Sequence, residues 1–372
     1  MTNIENILKK FDVSPRDLVE GYKAEGKKIV GCGPVYTPAE IVYAAGMAPM
    51  GLWGSQGEIS LAKQYFAAFY CSIVQRNLEM ALDGTLRDLA AVMVPIQCDS
   101  LKALGQNFKL AVKDIEYIHV ANAQNRKIEC GIDFNEKQYI KVKEKLEEIS
   151  GNKITDEALE NAIKVFNAQK LKLQEFVAVA AKYPQLISPS NRSLVIKSGL
   201  FMDRVKHTEL LTELIDALNQ EEVKPWDGKK IVTTGIIADS TSLLQILEEN
   251  KIAIVEDEVA QESRQFRTLA EEGTGNPLRA IAKLLSDTEG CSVLYDAEKK
   301  RSDMIIDKVK KSGADGVLYV QTKFCDPEEF DYVIIKDSLQ KEGIKHVVIE
   351  VDQQMTNYEQ ARTSLQTFAE ML

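Results

Sequence analysis

Short, unbroken apolar runs alternate with longer stretches of helical periodicity along much of the chain. A strand of a parallel sheet is covered on both faces, so it reads as a continuous apolar run rather than as an alternating one. The run from Leu89 to Val94 has this form and ends at Pro95. The pattern predicts strands near residues 28–30, 49–53, 89–94, 115–120, 229–235, 252–255, 316–320 and 347–351.

Helical periodicity fills the segments between these runs. We expect one helix over residues 61–82, before the third strand. From about Tyr139 to Leu218 the helical pattern is continuous and rich in Lys and Glu, and Thr155 is a good helix start because two acidic residues follow it. This stretch therefore predicts an all-helical region.

The same five residues, Gly-Lys-Lys-Ile-Val, occur at residues 26–30 and again at 228–232, where the first strand of each α/β unit is predicted. We expect an N-terminal α/β domain over 1–138, a helical connecting region over 139–225 and a C-terminal α/β domain over 226–372. The alternation of strands and helices predicts parallel sheets with right-handed crossovers. The fold class is α/β, with two Rossmann- or flavodoxin-like domains.

Charge and composition exclude several classes of protein. The formal net charge of -10 and the pI of about 5.1 leave no basic surface for a nucleic-acid backbone. The sequence contains no run of 18 apolar residues, and its first residues do not show the basic segment followed by an apolar segment that is typical of a signal peptide. We expect a cytoplasmic protein that binds neither nucleic acid nor a membrane.

Six cysteines stand in the chain, and none forms a C-x2-C pair. The cytosol keeps thiols reduced, so metal or redox chemistry is a better expectation than disulfides. Cys98 and Cys325 each follow a predicted strand, and Cys71 lies on the predicted helix or in its adjoining loop. Ligands of such sheets bind outside the carboxyl ends of the strands, so we expect a site between the two domains.

Several separate stretches resemble one family, the 2-hydroxyacyl-CoA dehydratases, which are related to the benzoyl-CoA reductases. Their order and spacing carry the resemblance, which covers nearly the whole chain. The stretches are residues 31–41 with 44–46, Tyr-Cys-Ser at 70–72, Cys-Asp-Ser at 98–100, Lys-Phe-Cys-Asp-Pro-Glu-Glu at 323–329, and 350–354 with 360–363 and 368–371.

The resemblance implies a [4Fe–4S] cluster between the domains, with Cys71, Cys98 and Cys325 as its ligands. One iron would be left for a ligand other than cysteine. It also implies a heterodimer with a homologous α-type subunit, and a separate ATP-dependent iron–sulfur activator protein. This chain has no G-x4-G-K-[ST] phosphate loop of its own.

The reaction implied by the resemblance is radical elimination of water from an (R)-2-hydroxyacyl-CoA. One electron on the thioester carbonyl gives a ketyl radical that expels the α-hydroxyl, and the product is an (E)-2-enoyl-CoA. Such hydro-lyases serve amino-acid fermentation in anaerobes. Ala39, Glu359 and Ser364 depart from the family pattern, and these departures favour the β-type subunit, with the catalytic cluster in the partner.

Other interpretations of the same residues stay open. The three cysteines are alternatively buried small side chains, and Cys32 is either a ligand in place of one of them or a residue of the pocket. Glu40 and Ser100 are the candidate catalytic residues. Glu40 is alternatively a first-turn helix acid, and Ser100, with Asp99, is alternatively a helix cap.

Two further cysteines and one histidine are expected to have structural rather than functional roles. Cys130 and Cys291 belong to no motif and are expected to be structural. His119 falls on a predicted strand and is expected to be a hydrogen-bonded core histidine.

Three other functions also remain open. One is a subunit of a benzoyl-CoA-reductase-like or double-cubane-cluster reductase, another is a non-catalytic electron-relay protein, and the third is a metal-free protein whose lobes close on a small metabolite. Hydroxyisocaproyl, phenyllactyl, lactyl and hydroxyglutaryl thioesters are all candidate substrates. A bulky apolar acyl chain is the preferred one.

Overall fold

The computed structural model describes residues 3–372, which form two four-stranded parallel sheets with helices around them. All eight strands lie where the apolar runs predict them. The first sheet has the order β2-β1-β3-β4, and the second has the order β6-β5-β7-β8. The strands are β1 (Ile29–Cys32), β2 (Ala48–Gly51), β3 (Ala91–Pro95), β4 (Glu116–Val120), β5 (Lys229–Gly235), β6 (Ile252–Val259), β7 (Gly316–Thr322) and β8 (Lys345–Val351).

The two sheets repeat one topology, as the repeated Gly-Lys-Lys-Ile-Val predicts. In each sheet the first strand pairs with the second on one side and with the third on the other. An order of 2-1-3-4 is that of the first four strands in a flavodoxin-like sheet. The α/β class and the parallel sheets are confirmed.

Helices cover both faces of each sheet and fill the middle of the chain. They are α1 (Asn3–Leu8), α2 (Pro15–Ala24), α3 (Ala39–Ala44), α4 (Ser72–Leu82), α5 (Asp99–Ala111), α6 (Glu129–Ser150), α7 (Asp156–Ala180), α8 (Pro189–Ser198), α9 (Arg204–Asn219), α10 (Thr241–Glu249), α11 (Ser263–Phe266), α12 (Pro277–Asp287), α13 (Arg301–Ser312), α14 (Asp326–Lys341) and α15 (Glu359–Met371). A short 3₁₀ turn also occurs at Ala62–Gln64.

Alternate side chains of the first sheet enter two separate apolar cores. Ile29 and Val92 belong to one core, whereas Val30 and Met93 belong to the other. Successive residues of a strand point to opposite faces, so the two cores lie on opposite faces of the sheet. We call the first of them the cysteine-side core, because Cys71 is part of it.

The helix predicted over residues 61–82 is wrong in its first half. Between the 3₁₀ turn and α4 the chain is irregular, and α4 begins only at Ser72. The buried Glu79 carboxylate accepts hydrogen bonds from the backbone N–H groups of Ser60, Leu61 and Ala62. The apolar spacing of this segment therefore comes from a loop that packs into the core. Backbone N–H groups at its start bind the Glu79 carboxylate rather than helical carbonyl groups.

The helical region is present, and it begins earlier than its predicted start because α6 starts at Glu129. Helix α1 packs against α9, and its apolar side chains share a core with α7. The domain boundaries at 138 and 225 remain predictions.

His119 is not a core histidine, which corrects the expectation. It lies on β4, an edge strand, and its side chain is exposed. Within residues 3–372, no helix combines the length and apolarity needed to cross a membrane.

Two glycine substitutions are expected to act in opposite directions. Gly235 ends β5 at a φ of 148°, and an added Cβ would overlap the carbonyl oxygen of Val320. Gly235→Ala should therefore lower the free energy of unfolding by at least about 2 kcal/mol.

Gly21 is the matched control, since it lies in α2 with nothing within 4 Å of an added Cβ. Gly21→Ala should raise the free energy of unfolding by about 0.5–1 kcal/mol, because alanine restricts the unfolded chain and favours the helix. Denaturant unfolding of the two variants measures both effects. Equal stability of the two variants would contradict the strain assigned to Gly235.

Candidate functional site

Each of the three predicted cysteine ligands is the residue that caps the N-terminus of a helix. Cys71 precedes α4, Cys98 precedes α5 and Cys325 precedes α14. Cys98 follows β3 and Cys325 follows β7, so both stand at the carboxyl ends of central strands, as expected. Three helix N-termini therefore converge on the same region.

A helix N-terminus favours negative charge, because its first N–H groups have no partner within the helix. Burial raises the pKa of the Cys71 and Cys325 thiols, and the N–H groups of Val74 and Ile73 for Cys71, and of Glu328 for Cys325, offset only part of that rise. None of the three sulfurs makes a capping hydrogen bond of regular geometry within residues 3–372. The site thus offers N–H groups to thiolates or to an anionic cluster.

The three thiols lie together in the cysteine-side core. Cys71 is part of that core, and Cys98 and Cys325 pack against it. Burial, and after it the neighbouring Cys71, raise the pKa of Cys98 to about 12. Burial also raises the pKa of Cys325, to which Glu328, Cys71 and Cys98 add. The thiols are close enough to repel one another as thiolates.

The two halves of the molecule both contribute to this region. Ile236, Ile237 and Ala260 of the C-terminal half are buried in the cysteine-side core. Next to Cys71, the Ser72 hydroxyl accepts a hydrogen bond of 3.0 Å from the backbone N–H of Gln353. The carbonyl of Gln353 in turn accepts one of 2.9 Å from the N–H of Gly57.

A second set of hydrogen bonds joins the halves nearby. Gln56 Nε2 donates to the hydroxyls of Tyr358 at 2.7 Å and Ser240 at 3.1 Å. The hydroxyls of Ser240 and Tyr358 are also 2.7 Å apart. These contacts fix the loop that carries Cys71 against the half that carries Cys325.

The donor set consists of three cysteine thiols, and cysteine thiolates are the usual protein ligands of iron–sulfur clusters. Among residues 3–372, no group of three or more His, Cys, Asp or Glu side chains is placed to hold one metal ion. A cube of four irons spaces its thiolate ligands more widely than one ion does, and three thiolates leave one iron for another ligand. Cationic iron would also offset the burial that keeps these thiols protonated.

The expectation that Asp99 and Ser100 cap α5 is wrong, because Cys98 occupies the capping position. The side chain of Asp99 is exposed and pairs with Lys102 at 3.0 Å. Burial raises the pKa of the Cys71 thiol, and the neighbouring Ser100 hydroxyl lowers it in part.

Glu328, one helical turn after Cys325, is the centre of a buried charged network. Its carboxylate is fully buried and lies 2.8 and 2.9 Å from the two terminal nitrogens of Arg301. The hydroxyls of Ser292 and Tyr319 each donate to it at 2.6 Å. Arg264 lies 3.5 Å from the same carboxylate.

These contacts keep Glu328 ionised. Burial alone would raise its pKa, but the guanidinium groups of Arg301 and Arg264 outweigh burial and lower the pKa to about 2. The N–H of Glu328 also donates to the carbonyl of Cys325 at 2.9 Å. The network therefore fixes the first turn of α14, which presents Cys325.

The structure places Cys32 apart from the other three cysteines. Cys32 ends β1 and belongs to the core on the opposite face of the first sheet. Burial raises the pKa of its thiol to about 12, and its charged neighbours are Arg204 and Glu40. Glu40 is buried in the first turn of α3 and lies 3.5 Å from the Lys170 ammonium.

The other two cysteines also differ from each other. Cys130 is exposed on α6, so it has no place in the core. Cys291 is buried, and its sulfur lies 3.5 Å from a terminal nitrogen of Arg264. Cys291 therefore contacts the charged network around Glu328.

No sequence pattern predicts this network as a whole, although one of its residues lies in a recognisable stretch. Glu328 lies inside the stretch 323–329 that carries the resemblance, three residues after Cys325. Arg264 and Arg301 lie in no motif, and only the fold brings them to Glu328.

Comparison with known proteins decides the family. The family model described as "2-hydroxyglutaryl-CoA dehydratase, D-component" matches residues 34–372. The chain belongs to the 2-hydroxyacyl-CoA dehydratase family. It is 49% identical over its full length, and the full length of the relative, to the "(R)-phenyllactyl-CoA dehydratase beta subunit" of Clostridium sporogenes.

Two further relatives of this dehydratase family member are also β subunits. The "Lactoyl-CoA dehydratase subunit beta" of Anaerotignum propionicum is 44% identical, with 100% of both chains covered. The "(R)-2-hydroxyglutaryl-CoA dehydratase, subunit beta" of Acidaminococcus fermentans is 42% identical, with 98% of this chain and 97% of the relative covered. The chain is accordingly of the β type.

Replacement of Glu328 tests the buried network. Glu328→Gln leaves Arg301 without its main counter-charge and should lower the free energy of unfolding by about 3–5 kcal/mol at neutral pH. The depressed pKa means that the ion pair stabilises the fold above the usual pKa of 4.5, and that this contribution is lost as the pH falls towards about 2. The free energy of unfolding of Glu328→Gln should therefore fall less than that of the wild type when the pH is lowered from about 4.5 towards about 2.

Glu329 is the matched control for this measurement, because it is the next residue and is exposed. Glu329→Gln should change the free energy of unfolding by no more than about 0.5 kcal/mol. Denaturant unfolding at several pH values measures both variants. A Glu328→Gln protein as stable as the Glu329→Gln protein would show that the network contributes nothing.

Proposed function

We propose that this chain is the β-type subunit of an (R)-2-hydroxyacyl-CoA dehydratase and holds a [4Fe–4S] cluster through Cys71, Cys98 and Cys325. The observation that carries the proposal is the placement of these cysteines at three helix N-termini in one apolar core. Two of them come from the N-terminal half and one from the C-terminal half. A cluster held this way would join the two halves.

When bound, such a cluster supplies single electrons at low potential. The chain's own residues prepare its surroundings. The N-termini of α4, α5 and α14 favour negative charge on the sulfurs, and the neighbouring Ser100 hydroxyl favours it on Cys71. The apolar residues of the cysteine-side core exclude water, and the network around Glu328 fixes the turn that carries Cys325.

The proposed reaction removes water from the thioester to give an (E)-2-enoyl-CoA, through a ketyl radical. A homologous α-type subunit completes the enzyme, and an ATP-dependent iron–sulfur activator supplies the electron. Support comes from the three relatives, which are all named as dehydratase β subunits. Their names span aromatic, short and acidic acyl groups, and we keep the bulky apolar acyl chain as the proposed substrate class.

Iron content tests the proposed ligands. The chain, purified without oxygen together with its partner subunit, should lose about four irons and their acid-labile sulfide when Cys71, Cys98 or Cys325 is replaced by Ser. The visible absorption of the β-subunit cluster should disappear in each variant. Iron and sulfide analysis with near-ultraviolet circular dichroism separates loss of the cluster from loss of the fold.

Cys130 provides the matched control, because it is exposed and lies far from the other motifs in the sequence. Cys130→Ser should keep all of the iron. If the three variants keep as much iron as Cys130→Ser does, the proposed ligand set is wrong.

Activity tests the proposed reaction. The two subunits, mixed with activator and ATP under nitrogen, should dehydrate an (R)-2-hydroxyacyl-CoA, with faster turnover for isocaproyl or phenyllactyl thioesters than for hydroxyglutaryl thioesters. The Cys98→Ser enzyme should be inactive while Cys130→Ser is unaffected. Reduction of benzoyl-CoA without dehydration of any 2-hydroxyacyl-CoA would favour the reductase interpretation.

A further inference from the structure

A partly open cavity of about 130 Å³ lies on the opposite face of the first sheet from the cysteine-side core. The loop at residues 36–40, helices α7 and α9, and the segment 261–288 line it. Most of its wall is apolar. The apolar part includes Tyr139, Phe166, Leu173, Ile196, Ile281 and Leu284.

Arg204 lines this cavity without a counter-charge. No carboxylate of residues 3–372 lies within ion-pair distance of its guanidinium group, and its Nε is buried and has no hydrogen-bond partner among the described residues. Its one side-chain hydrogen bond goes to Gln169 Oε1, at 3.3 Å. The guanidinium also lies over the Phe166 ring, 4.9 Å from its centre.

The other charged groups of the cavity are compensated. Lys170 faces Glu40 at 3.5 Å, and Arg264 pairs with Glu258 at 3.3 Å and Glu328 at 3.5 Å. Asp203 and Glu40 favour the charge of Arg204 only from a distance, and burial lowers the pKa of Arg204. The cavity therefore has one positive charge in excess.

The Arg204 side chain is only partly exposed, and a charge in a mainly apolar wall without an ion-pair partner is costly. From this excess charge in an apolar cavity, we propose that the cavity is a binding site for a small monocarboxylate with a short apolar tail. The guanidinium group of Arg204 binds the carboxylate, and the ring and branched side chains enclose the tail. The proposal is independent of the cluster and of the dehydratase reaction.

Size and charge select this class of ligand. A cavity near 150 Å³ admits benzene, so this one takes an organic acid of about six non-hydrogen atoms. A whole coenzyme A needs a cleft of about 300 Å³ or more. A doubly charged phosphate would exceed the single unpaired cation, whereas one carboxylate matches one guanidinium group.

Arg204 also lines a second, outer cleft of about 260 Å³, whose charged residues besides Arg204 are Lys27 and Asp203. Of the residues that line the inner cavity, only Arg204 takes part in the lining of this outer cleft. Arg204 therefore stands between the two spaces.

Calorimetric titration of the anaerobic two-subunit protein tests the proposal. Isobutyrate should bind, and isobutyramide, its neutral isostere, should bind at least about tenfold more weakly because a charge-assisted hydrogen bond is lost. Arg204→Gln should weaken isobutyrate binding to the level of the amide. Arg16→Gln, the same change at an exposed residue of α2, should bind as the wild type does.

Gln169→Glu is a second variant that does not remove Arg204. It places a carboxylate where Gln169 Oε1 now accepts from Arg204, so it should supply the missing counter-charge and abolish isobutyrate binding. Thermal unfolding of each variant shows whether it is folded. The proposal can be tested as long as either Arg204→Gln or Gln169→Glu folds.

Four results would overturn the proposal. They are the absence of isobutyrate binding to the wild type, equal binding of the amide, undiminished binding by a folded Arg204→Gln or Gln169→Glu protein, and binding of inorganic phosphate in preference to isobutyrate. Iron content and dehydratase activity do not enter this test, so failure of the proposed function would leave it intact.

Discussion

The contact between the carboxyl ends of the two parallel sheets is the constraint on which the cysteine site depends. Two cysteines stand on one half of the molecule and the third on the other, so they meet only if the halves keep one fixed relation. Ile236 and Ile237 provide the apolar part of this contact, inside the core that contains Cys71. The hydrogen bonds of Gln353 with Ser72 and Gly57 add direction to it. Apolar burial supplies most of the free energy, and the hydrogen bonds select the alignment.

Buried charges have a second effect on the same site. The Glu328 carboxylate accepts from both terminal nitrogens of Arg301, and two hydroxyls complete its hydrogen bonds. A fully satisfied carboxylate in an apolar interior has few alternative arrangements, because any displacement leaves a charge unpaired. Since Glu328 lies in the first turn of α14, this rigidity extends to the Cys325 backbone. The network is therefore a structural support for the cysteine and adds no reacting group.

The sequence predicted the strands well because buried parallel strands have a one-dimensional signature, a continuous apolar run. It failed over residues 61–71, where apolar spacing came from a loop held by Glu79. Such a loop depends on a carboxylate 17 to 19 residues away, which local periodicity does not contain. The positions of Cys98 and Cys325 at strand ends could be predicted from the apolar pattern, whereas their grouping with Cys71 as ligands came only from the family resemblance. The roles of Arg301 and Arg204 could not be predicted from the sequence, because the residues around them come from distant parts of the chain.

The two faces of the first sheet thus carry different chemistry, and the strand itself explains the separation. Residues that alternate along β1 point to opposite faces, so Cys32 belongs to the core beside Arg204 and Glu40, whereas Ile29 belongs to the core of Cys71. A close-packed sheet lies between the two environments and separates them. For Cys32 to replace a ligand of the other set, its strand would have to shift by one residue. That shift would move every buried side chain of β1 to the wrong core.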